Sequence, residues 1–233
     1  MRHALSFFLL GLLSLCVALP VRAQDEEYYT KEFGGALGLT SLMSDANSSA
    51  FGAPNVGAGA VLRFILNPRM AVKTMLTYNQ ISGNVSGIKN FYPQHLDQAS
   101  TDRLNYQFSG AMYDLSALYE LHFLPYGYHR SYLGNRRLVP FLQLGFGLTY
   151  SQVGKAFTAN IPFGVGVKYK LRPRLNLALD WKYHFTPSDR LEGLEAPLGI
   201  RSDFFRNKDH YGQMMITLTY DFSPRCPACN KAD

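Results

Sequence analysis

Two cysteines stand near the end of the chain in Cys226-Pro227-Ala228-Cys229, a C-x-x-C spacing used for redox chemistry, metal thiolates and small structural disulfides. Redox catalysis needs a thioredoxin-like surround, which the flanking residues do not supply. Two thiolates with no nearby histidine do not close a zinc site. An intramolecular disulfide and a mixed disulfide with a partner protein both remain open. Elsewhere the titratable residues come as pairs. Asp180 and His184 are four apart and Glu120 and His122 two apart, and on a strand both spacings put the pair on one face. Asp180 and His184 are then too distant along the strand to pair directly, and no serine on that segment completes a triad. Ser109, Ser116, Ser188 and Ser202 have no partner that sequence places. Glu120 with His122 makes two ligands, short of a metal site. The residues predict no enzyme, no metal and no cofactor.

The elements that carry these residues show period-2 alternation rather than helical periodicity. Eight segments have it: 33–41, 56–66, 70–81, 107–123, 138–150, 159–171, 175–185 and 211–222. In 138–150, Leu142, Leu144, Phe146, Leu148 and Tyr150 alternate with Gln143, Gly145, Gly147 and Thr149. In 175–185, Leu175, Leu177, Leu179, Trp181, Tyr183 and Phe185 face Asn176, Ala178, Asp180, Lys182 and His184. A soluble β-sandwich alternates too. Here the apolar faces run for about ten residues or more, the tilted span of a hydrocarbon core. The opposite faces carry charges in mid-strand, which a barrel encloses. The predicted fold is all-β, an eight-stranded antiparallel transmembrane β-barrel.

Connections alternate in length. Asn67-Pro68-Arg69 and Arg172-Pro173-Arg174 read as tight turns, while 42–55, 82–106 and 186–210 are long and polar. Short periplasmic turns against long external loops is the usual arrangement, which places both termini in the periplasm. The exceptions are a short external 151–158 and a long periplasmic 124–137.

The inward faces carry Arg63, Lys73, Lys168, Lys170 and Lys182 against Glu32, Asp114, Glu120, Asp180 and Asp221. Charges removed from water need partners, and an eight-stranded interior is just wide enough to be filled by side chains. An internal charge network that plugs the lumen is favoured over an ion path or a charged ligand site. Contacts to other proteins then fall outside the barrel. The 124–137 segment interleaves Tyr126, Tyr128, His129, Arg130, Arg136 and Arg137, and tyrosine with arginine suits a protein interface; anchorage of the rim to lipid headgroups is the other reading. The external loop containing Asn90-Phe91-Tyr92-Pro93 is a further surface, either variable or ligand-binding.

The first residues read as a secretory leader: Arg2 and His3, an apolar run from Ala4 to Leu19, then Val21-Arg22-Ala23 as a cleavage site. The expected organisation is a signal peptide 1–23, a barrel 24–222 and a periplasmic cysteine-containing tail 223–233. Loss of 1–23 lowers the formal net charge from +6 to +4. That mild, dispersed charge on an exported chain points away from nucleic acid. Aromatics at 14% exclude a disordered chain.

Three stretches carry a resemblance. They are Leu66-Asn67-Pro68-Arg69-Met70-Ala71, the pair Tyr113-Asp114-Leu115-Ser116 and Glu120-Leu121-His122-Phe123, and Ile161-Pro162-Phe163-Gly164-Val165-Gly166-Val167-Lys168-Tyr169. With the closing Thr219-Tyr220-Asp221-Phe222, they resemble a PorG-like family of small Bacteroidota outer-membrane barrels that includes a component of the type IX secretion system. The chain departs from that pattern at Asp114, where many relatives carry Glu, and in the residues after Phe222. The resemblance implies a non-enzymatic barrel in the outer membrane, in contact with its lipids, that anchors or organises a periplasmic ring made of a lipoprotein and its partner protein. The alternative is a free-standing barrel that binds or passes a small apolar ligand.

Overall fold

A computed structural model describes residues 28–44, 53–84, 107–128, 134–188, 190–193 and 208–225. The expected leader 1–23, residues 85–106, His129, Arg130, Cys226 and Cys229 lie outside the described residues. Eight strands follow in chain order: β1 (Tyr28–Met43), β2 (Asn55–Asn67), β3 (Met70–Asn84), β4 (Gln107–His122), β5 (Leu138–Ser151), β6 (Ala156–Arg172), β7 (Leu175–Phe185) and β8 (His210–Arg225). Each pairs with the next and the sheet closes on itself as a barrel. At the closing seam Thr30 Oγ1 on β1 donates to the Ser223 carbonyl on β8 at 3.0 Å.

The alternating pattern forms this shape because each strand turns its apolar side chains out and its polar ones in. Phe146 on β5 is 75% exposed while Arg63 on β2 is 0% exposed. In water such an apolar exterior would aggregate; against lipid tails it is the expected band. The molecule is therefore a membrane-spanning barrel with an inside-out distribution of polarity. Register keeps room for the interior. Gly164 faces Lys182 and Gly166 faces Asp180 across the β6–β7 ladder, so long inward side chains meet positions without a Cβ.

Both ends of the chain's strands, Tyr28 and Arg225, lie with the tight turns 68–69 and 173–174 at one rim, called here the short-turn end. Register shifts between Ile65 and Asn67 and between Lys170 and Arg172 mark bulges just before those turns, where strand pairing ends. The opposite rim is the long-loop end. Several boundaries differ from the periodicity; β3 runs on to Asn84 and β8 to Arg225, three residues past the predicted ends 81 and 222. β1 begins at Tyr28 rather than 33, because Glu32 continues the inward parity into the lumen. β6 begins at Ala156, so the 151–158 connection shrinks to a turn at 152–155 with Lys155 at φ 47°.

Candidate functional site

The lumen holds two clusters of different chemistry. At the short-turn end, the Arg63 guanidinium on β2 lies between Glu32 on β1 and Glu120 on β4. Its Nε donates to Glu120 Oε2 at 2.7 Å and its Nη2 to Glu120 Oε1 at 3.2 Å, the two-pronged geometry that makes arginine suited to carboxylates. Its Nη1 pairs with Glu32. Lys73 on β3 reaches Glu120 Oε1 at 3.0 Å, Asp180 Oδ2 on β7 at 3.4 Å and Gln143 Oε1 on β5 at 2.6 Å.

Lys168 on β6 pairs with Glu32, which also accepts from Thr219 Oγ1 on β8 at 3.0 Å. The connected set thus takes at least one side chain from every strand. Beside it Lys170 and Asn176 bind Asp221. Lys182 Nζ sits 3.8 Å from Asp180 and 2.9 Å from the Met75 sulfur. Ions this deep lose their hydration and hold only if each charge meets several partners.

The residues after β4 close this mouth. Tyr126 N–H donates to the Pro68 carbonyl at 2.8 Å and its hydroxyl to Asn176 Oδ1 at 2.7 Å. Its ring lies 4.4 Å from Lys168 Nζ and 5.3 Å from Lys170 Nζ, within cation–π reach. Burial pushes the Tyr126 phenol well above its ordinary range, and the neighbouring Glu32 carboxylate adds to the shift. His122 packs edge-on to Phe141 and 5.8 Å from the Tyr126 ring, with Glu120 Oε2 at 3.9 Å.

Tyr126 is the correction to the set of residues expected to meet a partner protein: it faces the lumen, because its ring covers two lysines that the mouth would otherwise leave open. Tyr128 stacks on Arg137 at 4.5 Å, and Arg137 also lies 5.4 Å from the Tyr169 ring and donates to the Lys170 and Leu171 carbonyls. Those two are packed along the rim. Arg136 is exposed.

Asp114 belongs elsewhere. Toward the long-loop end it accepts from Ser116, from Asn160 Nδ2 at 2.7 Å and from the Tyr211 hydroxyl at 2.9 Å. His184 stacks on Tyr211 at 4.2 Å, its Nδ1 3.1 Å from Asn160 Oδ1 and 3.8 Å from Asp114. As expected from its distance along β7, His184 does not pair with Asp180; it meets Asp114 and Asn160 across the barrel instead. Above this cluster, Leu42, Ile81, Phe108, Met112, Ala156, Leu191 and Tyr211 form an apolar layer. Leu191 comes from the 186–209 connection and is held by its N–H to Asp209 Oδ2 at 2.7 Å and by Ser151 Oγ on its carbonyl.

Gln143, Asn176, Thr219 and Asn160 join these clusters without having been singled out. Their inward parity was readable, but neutral residues give no charge to notice. Leu191 lies in a connection that also holds Leu194, Leu198, Ile200, Phe204 and Phe205 without any periodic pattern, so nothing marks it out. Among the described residues no group of three or more His, Cys, Asp or Glu side chains is placed to hold a metal ion. Among the described residues the interior is occupied by side chains, with a tyrosine over lysines toward the short-turn end and a leucine in an apolar layer toward the long-loop end.

No known family model matches the chain, and no curated protein matches it either. Solved structures do. The attachment invasion locus protein Ail of Yersinia pestis, solved with the heparin analogue sucrose octasulfate, is 12% identical with a TM-score of 0.45, covering 83% of this chain and 99% of its own. Neisserial surface protein A is 12% identical with a TM-score of 0.47, covering 82% and 97%. The outer membrane protein OprG of Pseudomonas aeruginosa is 12% identical with a TM-score of 0.46, covering 85% and 99%. Likeness at this level identifies neither ligand nor partner.

Proposed function

We propose that this barrel resides in a bacterial outer membrane as a non-enzymatic anchor, and that it organises the periplasmic ring of a type IX protein secretion machine. The observation that carries the reading is the lumen network drawing on all eight strands. A filled barrel offers no conduit, so its work falls to its ends and its outer wall. The resemblance of the 66–71, 113–123 and 161–169 stretches supplies the particular assembly.

In this reading residues 1–23 are removed on export, the barrel runs from Tyr28 to Arg225 rather than stopping at 222, and the cysteine-containing tail is periplasmic. Arg136, His129 and Arg130 are the contacts proposed for the ring, and Cys226 or Cys229 offers a thiol to a ring lipoprotein. Purification in mild detergent followed by non-reducing gels tests it, with a Cys226→Ser/Cys229→Ser chain alongside. A thiol-dependent larger species containing a periplasmic lipoprotein is expected, and deletion of the gene should abolish cargo secretion. Normal secretion in the deletion strain would overturn the reading.

A further inference from the structure

The outer wall carries a site that the filled lumen does not use. At the β1–β8 seam, Phe33, Tyr220 and Phe222 line an almost wholly apolar groove of about 330 Å³. At its short-turn edge the Arg174 guanidinium lies between two rings, 4.8 Å from Tyr29 and 4.6 Å from Tyr220. Arg174 Nε donates to the Asp221 carbonyl at 3.2 Å. Its two terminal nitrogens make no hydrogen bond or ion pair with any described residue. Lys31 stands two residues before Phe33 on the same outward face of β1, half-buried beside the groove.

The surrounding charge is one-sided. Every acid among the described residues is buried: Glu32, Asp114, Glu120, Asp180 and Asp221 in the lumen, Glu192 and Asp209 at the long-loop end. Along the short-turn rim the described side chains that reach the surface with a charge are Lys31, Arg69, Arg136, Arg137, Arg172 and Arg174.

We infer that the seam is a binding site for an anionic phospholipid, with its phosphate on Arg174 and Lys31 and an acyl chain in the Phe33–Tyr220–Phe222 groove. Each part answers one part of the ligand. The guanidinium is held between two rings and by its Nε bond, leaving its terminal N–H groups to match phosphate oxygens. The groove accepts a hydrocarbon chain because it has almost no polar wall. The two lie one above the other at the membrane edge, where headgroup meets tail. The site is independent of the assembly the barrel serves.

Native mass spectrometry of the detergent-purified full chain tests this, with dioleoyl phosphatidylglycerol and dioleoyl phosphatidylcholine as probes. The expected result is preferential retention of phosphatidylglycerol. Arg174→Gln and Lys31→Gln should each lower that retention by about fivefold while leaving phosphatidylcholine unchanged. Phe33→Ala should weaken both lipids alike, since it touches only the tail. Lys155→Gln, an exposed cation at the long-loop end away from the seam, should change neither.

Arg174→Lys preserves the charge and guards against a folding defect in the glutamine variant; it should fall between the two, because an ammonium does not stack as a guanidinium does. Equal retention of the two lipids by the unaltered chain would overturn the inference. So would an effect of Lys155→Gln as large as that of Arg174→Gln, which would mean net charge alone. Displacement of the lipid by millimolar inorganic phosphate would overturn it too, since the site would then bind a free anion.

Discussion

The two halves of the lumen solve the same problem, a polar interior without bulk water, in different ways. The short-turn half uses formal charge: Arg63, Lys73 and Lys168 against Glu32, Glu120 and Asp180, each touching more than one partner or bound beside a neutral donor. The long-loop half gathers neutral donors, Ser116, Asn160 and Tyr211, around the single carboxylate of Asp114. Redundancy separates them. Deleting one member of the charged half strands another ion in low dielectric, whereas a neutral donor left without its acceptor costs only its own desolvation.

The largest effect should come from Arg63→Met, which leaves Glu32 and Glu120 facing each other without their shared cation. A loss of about 3–5 kcal/mol is expected, read as urea unfolding of the barrel in lipid vesicles by tryptophan emission and heat-modifiable migration. A milder loss than that of Asp114→Asn would erase the contrast between the halves.

The mouths extend the comparison. Leu191→Ala removes the apolar stopper and should cost about 2–3 kcal/mol locally, visible as faster proteolysis within 186–209 while the strands stay protected. Unchanged proteolysis would show that Asp209 and Ser151 hold the segment without the leucine.

Asp114→Asn keeps the shape but removes one strong acceptor, leaving Tyr211 or Ser116 poorly paired. About 1–3 kcal/mol is expected in the same unfolding assay. Combined with Arg63→Met it should add, because the two clusters share no described hydrogen bond or ion pair. Strong non-additivity would make them one network.

Tyr126→Phe is the smallest, about 1 kcal/mol, because only the hydroxyl bond to Asn176 is lost and the ring stays over Lys168 and Lys170. Tyr126→Ala should cost visibly more than Tyr126→Phe; equal losses would deny the ring any part in covering the mouth.

Much of this was legible in the chain itself. Period-2 alternation locates a strand and its faces at once, since consecutive side chains must point to opposite sides. Segments 70–81, 138–150 and 175–185 therefore fall within a few residues of β3, β5 and β7. Parity also assigns Glu32, Arg63, Lys73, Glu120, Lys168 and Asp180 to the lumen.

Parity does not give height or cross-barrel distance. Asp114 and Glu120 share a face of β4, but six residues of extended strand separate them by about 20 Å, enough to put them in different clusters. Which lysine meets which carboxylate depends on the stagger of strands around the closed sheet, and stagger is written in no single segment. Tyr126 was the hardest to place. A tyrosine among arginines in a connection reads as a protein contact or as an anchor to lipid headgroups; its cover over the lumen depends on Pro68 and Asn176, which no local pattern reveals.

The ring of charges has a consequence for how the molecule is made. Glu32 is in the first strand, yet its partners Lys168 and Thr219 come 136 and 187 residues later. A growing sheet that entered the membrane strand by strand would carry Glu32, Arg63 and Lys73 past lipid with their later partners still missing. Such half-built intermediates are penalised by the same desolvation that the finished barrel avoids. Contacts this far apart in sequence also favour slow, all-together closure. The interior acts as a checkpoint on biogenesis: the wall becomes comfortable in the bilayer only when its last strand has arrived.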